Sequence, residues 1–127
     1  MPLLTVGARA RARWGFGVAA PGADWELWAC ADDASSARHI IPEGAEALAE
    51  RGAGHTAFRW QTPEGRVSLR VWETGTSGSL FVRANADAST LETPAGLAAV
   101  ARPASLMLIA RGASFRHHGL RRRRVCL

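Results

Sequence analysis

The sequence predicts a β-rich fold, all-β or α+β, built as an antiparallel sandwich or rolled sheet of about six strands with one or two short helices. Three observations carry that expectation. Apolar and polar side chains alternate with period two through much of the chain. Gly- and Pro-bearing turn signals separate the alternating runs. A length of 127 residues, 47% of them hydrophobic, suits a single core rather than two.

Taken in order, Arg13–Ala19 sets Phe16 and Val18 against Gly15, Gly17 and Ala19, and Pro21-Gly22 then reads as a turn. Trp25, Leu27 and Ala29 alternate with Glu26, Trp28 and Cys30, as in a strand covered on both faces. The spacing predicts a helix over Pro42–Arg51: Pro42 suits the first helical position, Glu43 and Glu46 the first turns, and Gly52 the stop. Thr56–Thr62 puts Phe58, Trp60 and Thr62 on one face. Thr62-Pro63-Glu64-Gly65 turns the chain, and Arg66–Thr74 returns with Val67, Leu69 and Val71 on one side and Ser68, Arg70 and Trp72 on the other. This β-hairpin is the most secure element. Gly75-Thr76-Ser77-Gly78 reads as a second turn into a strand at Leu80–Ala84. Thr93-Pro94 could cap a helix to Arg102, with a strand nearly as well supported, and the apolar run in Ser105–Arg111 reads as a central strand. A single domain over residues 1–115 with an arginine-rich tail over 116–127 follows.

The charge is distributed unevenly. All sixteen basic residues are arginine, there is no lysine or tyrosine, and Asn85 is the only asparagine, a bias that a G+C-rich genome produces. Residues 1–92 hold nine arginines and eleven acids, a net −2, whereas the remaining 35 hold seven arginines and no acid. Rigid bidentate guanidinium groups grip phosphate whatever the base sequence. Arg111, Arg116, Arg121, Arg122, Arg123 and Arg124 are therefore candidates for partner or nucleic-acid contact. The five tryptophans can fill a small β core. Alternatively, outward-facing ones, with Trp72 and Arg70 close together in one strand, can anchor a partner or stack bases.

Catalytic and cofactor signatures are weak. Gly15-Phe16-Gly17-Val18-Ala19-Ala20 matches a dinucleotide fingerprint in spacing, but an arginine-rich segment precedes it and Pro21-Gly22 follows, where the chemistry needs a strand and then a helix. Gly75-Thr76-Ser77-Gly78-Ser79 resembles a nucleophile elbow without its final glycine, between what read as two strands. His39, His55, His117 and His118 show no metal-ligand spacing, and Asp24, Glu26, Asp32, Asp33 and Asp87 are no different from turn and edge carboxylates. Cys30 and Cys126 are too few for a disulfide framework, and reduced thiols are expected. No cofactor, no metal and no enzymatic activity are expected.

No apolar run is long enough to span a bilayer, and the N-terminal charge order reverses that of a secretory leader. A cytoplasmic or particle-enclosed protein without a membrane partner follows. The leading expectation of function is a non-catalytic structural or assembly protein. It would be a small component of a viral or phage-like particle or another multimer, holding neighbouring copies through β-surface tryptophans and the arginine tail. The alternative is a nucleic-acid-binding module that grips phosphates with the C-terminal arginines, and a small enzyme comes third.

Overall fold

The computed structural model describes residues 3–33, 38–49 and 54–102. The strand assigned to Ser105–Arg111, the domain boundary at 115, Cys126 and the arginines from Arg111 onward lie outside the described residues.

The β-rich class holds. Seven strands form one mixed sheet: β1 (Leu3–Val6), β2 (Trp25–Cys30), β3 (Glu46–Leu48), β4 (His55–Thr62), β5 (Gly65–Trp72), β6 (Thr90–Thr93) and β7 (Gly96–Val100), in the order β3-β4-β5-β2-β1-β7-β6. Two α-helices, α1 (Gly7–Arg13) and α2 (Ser77–Ala84), and a 3-10 turn at Ala31–Asp33 complete the described elements, together with a helical turn at residues 38–40. The neighbours β1/β2, β3/β4, β4/β5 and β6/β7 run antiparallel, while β1/β7 and β2/β5 run parallel. Both parallel pairs join strands that are not consecutive in the chain, whereas each hairpin-linked or sequential pair runs antiparallel.

Alternate residues of the inner strands feed two cores. Leu4, Val6, Trp28, Cys30 and Trp72 join Ala10 of α1 and Val82 of α2, with Phe81 packed alongside. Leu3, Leu27, Ala29, Val67, Leu69 and Val71 form the second core, against which Ile40, Ile41, Phe58, Trp60 and Trp25 pack. The central strands are thus covered on both sides, which explains why β1, Leu3-Leu4-Thr5-Val6, carries no charge and is buried at every position.

The β4–β5 hairpin is as expected, from His55↔Trp72 to Thr62↔Gly65. Thr62 Oγ1 donates to the Gly65 carbonyl at 2.7 Å and accepts from the Glu64 amide at 3.2 Å, closing the turn. Thr93-Pro94-Ala95-Gly96 repeats the device: Thr93 Oγ1 donates to the Gly96 carbonyl at 3.0 Å and accepts from the Ala95 amide at 3.3 Å. That turn pairs β6 with β7, so residues 96–100 are strand and Thr93-Pro94 caps no helix.

Three expectations are corrected. Arg13–Ala19 is not a strand, because the Ala- and Arg-rich run before it forms α1 and Gly15 ends that helix with φ +86°. Pro42–Arg51 is not a helix within the described residues. Gly44 at φ +86° turns the chain, and Glu46–Leu48 then pairs with β4. Arg59 of β4 holds Glu46 across that pair at 2.8 Å. Leu80–Ala84 is helix rather than strand, because Thr76 caps α2 by accepting from the Ser79 amide at 3.2 Å.

Candidate functional site

Of the two residues singled out within the described region, Trp72 faces inward. It is 3% exposed and held between Trp28, tilted against it at 4.8 Å, and His55, edge-on at 4.5 Å between ring centroids, with Phe81 edge-on to Trp28 at 5.4 Å. The backbone of α2 lies directly on it, since a Cβ at Gly78 would overlap the Trp72 ring. Trp28 is buried in the same cluster, and Trp25 and Trp60 pack against the opposite core. The indole N–H groups of Trp25, Trp28 and Trp72 meet no acceptor among the described residues. Four of the five tryptophans, Trp72 among them, therefore pack within the fold.

Arg70 is half-buried and sits beside Ala57 and Trp28 across the strands, on the part of the helix-bearing face that β3, β4 and β5 form. Ser68, Arg59 and Arg66 share that face by strand alternation. Arg59 pairs with Glu46 and Arg66 with Asp24 at 3.4 Å, so much of this charge is neutralised locally. Arg83–Asp32 and Arg102–Asp87 are further surface pairs. The Arg102 guanidinium hydrogen-bonded to Asp87 holds that carboxyl below its usual range, and Asp87 in turn raises Arg102.

Gly75–Ser79 joins β5 to α2, so the strand–turn–helix context of a nucleophile elbow is present after all. Ser77 is exposed at the start of the helix, and Ser79 is buried, its hydroxyl donating to the Thr76 carbonyl at 3.2 Å. The turn's hydrogen bonds are spent on capping α2, and Cys30 donates its thiol to the Ser79 carbonyl at 3.6 Å. Among the described residues no three His, Cys, Asp or Glu side chains gather as a metal site.

The feature that sequence reasoning missed lies after α1. Trp14-Gly15-Phe16-Gly17-Val18-Ala19-Ala20 carries no charged, hydroxyl or amide side chain, yet Trp14, Phe16 and Val18 are exposed, Phe16 by 61% and Val18 by 96%. Its geometry is built. The Gly15 amide donates to the Ala12 carbonyl at 3.1 Å and the Phe16 amide to the Arg11 carbonyl at 2.8 Å, with Gly15 left-handed between them. That is a Schellman closure of α1, in which the residue at the Phe16 position ordinarily packs back on the helix. Here the helix offers Arg11 instead, and Phe16 points to solvent. The base of the segment is pinned by Arg9, which donates to the Ala23 carbonyl at 2.6 Å and lies 3.8 Å over the Trp25 ring.

No family model, no curated protein and no solved structure matches this chain. What it does must therefore be read from its own surfaces. The most unusual of these is segment 14–20, flanked by the exposed Arg11 and Arg13 in the last turn of α1.

Proposed function

We propose that this protein is a non-catalytic assembly module that holds itself against a larger body through segment 14–20. The observation that carries the reading is the outward presentation of Trp14, Phe16 and Val18 on a loop whose base is fixed by α1 and Arg9. Apolar side chains grouped on a protruding segment mark a contact surface.

Fractionating an extract of source cells by sedimentation tests it. The full chain should travel with a heavy fraction, and Phe16→Ser/Val18→Ser should stay with the light one. A wild-type chain that stays light would remove the reading.

A second reading rests on the charge asymmetry. Seven arginines and no acid follow Glu92, which suits a polyanion bound through Arg111, Arg116 and Arg121 to Arg124. It predicts oligonucleotide affinity that falls steeply with salt and weakens markedly when residues 120–127 are deleted.

A further inference from the structure

Resting on the docking reading above, we infer that the body which segment 14–20 engages is an anionic lipid surface, with Phe16 and Val18 entering the acyl boundary and Arg11 and Arg13 meeting the headgroups. Charge points to the sign of the partner. No acid occurs before Asp24, and Arg11 and Arg13 are exposed with no ion pair among the described residues. Residue chemistry points to the class. Val18, almost wholly exposed, has no π-face for a base to stack on, and no side chain of the run offers an acceptor or hydroxyl to a polar partner. Tryptophan and phenylalanine at an apolar tip with arginines behind them are the composition of an interfacial anchor.

The backbone completes the argument. Leaving water is costly for peptide groups without partners. The amides of Trp14, Gly15 and Phe16 are already satisfied by carbonyls of α1, so the leading half of the segment can approach an apolar medium without orphaning them. Gly15 at φ +86° and Gly17 at φ +149° also hold a conformation that L side chains rarely adopt, which keeps Phe16 and Val18 out from the body rather than folded onto it.

Flotation of the full chain with vesicles of phosphatidylcholine alone and of phosphatidylcholine with phosphatidylserine is the test. The wild type should float with the mixed vesicles and hardly with the neutral ones. Phe16→Ser/Val18→Ser should weaken binding to mixed vesicles roughly thirtyfold, and Arg11→Gln/Arg13→Gln about tenfold or more. The C-terminal arginines are common to every variant, so their attraction to anionic lipid cancels in these ratios. Should the double serine variant lose its circular dichroism spectrum, Val18→Ser alone, at the most exposed position, takes its place.

Quenching of tryptophan fluorescence by brominated acyl chains should be present in the wild type and largely lost in Trp14→Phe. Equal binding of the wild type and the serine variant would overturn the inference. So would loop-dependent binding to a single-stranded oligonucleotide with none to vesicles, which would make the partner a nucleic acid. Failure on vesicles with loop-dependent sedimentation intact in extracts overturns the lipid surface and leaves the docking reading standing, whereas failure in both removes both.

Discussion

Replacing Gly78 by alanine sets helix propensity against packing, and the structure says which wins. Gly78 lies in the first turn of α2, where on an exposed helix alanine would be preferred by about 1 kcal/mol. Its Cβ, however, would approach three Trp72 ring carbons, Cδ2, Cε2 and Cε3, all inside the 3.0 Å that real Cβ contacts essentially never cross. The ring cannot swing away, because Trp28 and His55 hold it on two sides at 4.8 and 4.5 Å. Forcing a methyl into a packed core costs about 1–3 kcal/mol. With the propensity gain subtracted, Gly78→Ala should destabilise the chain by up to about 2 kcal/mol, a fall in Tm of up to roughly 8 °C. Urea unfolding followed by tryptophan fluorescence measures it. In a Trp72→Leu background the space exists and the same change should become neutral or stabilising, a coupling of about 2 kcal/mol in the double-mutant cycle. A higher midpoint for Gly78→Ala in the wild-type background would refute the reasoning.

Three further outcomes follow from named contacts. Asn85 is wholly buried, donates to the Phe81 carbonyl at 2.9 Å and accepts from the Arg102 amide at 3.0 Å; Asn85→Ala should cost about 2–3 kcal/mol in urea unfolding, and a loss under about 0.5 would contradict its bridging role. Thr76→Ala should lower stability by about 1 kcal/mol through the lost cap on α2, with Thr76→Ser restoring most of it. The Asp87 carboxyl is held low by Arg102, so its contribution is present above its unfolded pKa and lost as pH falls through the lower folded one. The Tm difference between wild type and Asp87→Asn should therefore be level above about pH 5 and shrink toward zero below about pH 4. A difference that grows on acidification would reverse the assigned direction.

Much of the fold was legible where local chemistry decides structure. Thr62-Pro63-Glu64-Gly65 announces its hairpin because proline, glycine and the threonine hydroxyl each satisfy a specific need of the turn. The same signature at Thr93–Gly96 leaves helix and strand nearly even, since a Thr-Pro pair suits either role and only the pairing of β6 with β7 selects one. Long-range pairing also decided Glu46–Leu48, whose flanking Pro, Glu and Gly favour a helix until β4 is there to accept it as an edge strand. Leu80–Ala84 carries an apolar run too short for its period to show, and the cap at Thr76 was the available clue.

The candidate site was hidden for a different reason. Period two in Trp14-Gly15-Phe16-Gly17-Val18 comes from glycines that turn the chain, so alternation there signals exposure rather than a buried strand face. Which tryptophans face inward depends on where the helices lie, and no local pattern reports that. Trp72 shows this most plainly, since strand alternation places it beside Arg70 on one face while α2 closes over it alone.

The position of β1 bears on how the chain is made. Leu3–Val6 is made before every other described element, yet it occupies an inner place in the sheet, between β2 and β7. One flank can be filled after a few seconds of further synthesis, but the other waits for residues 96–100, and the Ala101 amide closes on the Thr5 carbonyl at 3.1 Å only then. Throughout that interval a nascent chain carries a bare, largely apolar edge at the heart of its sheet rather than at its rim, the kind of edge to which other chains add. A translation product that stopped before residue 96 would keep it permanently, so shortened forms made to probe the C-terminal arginines should retain everything through Arg102.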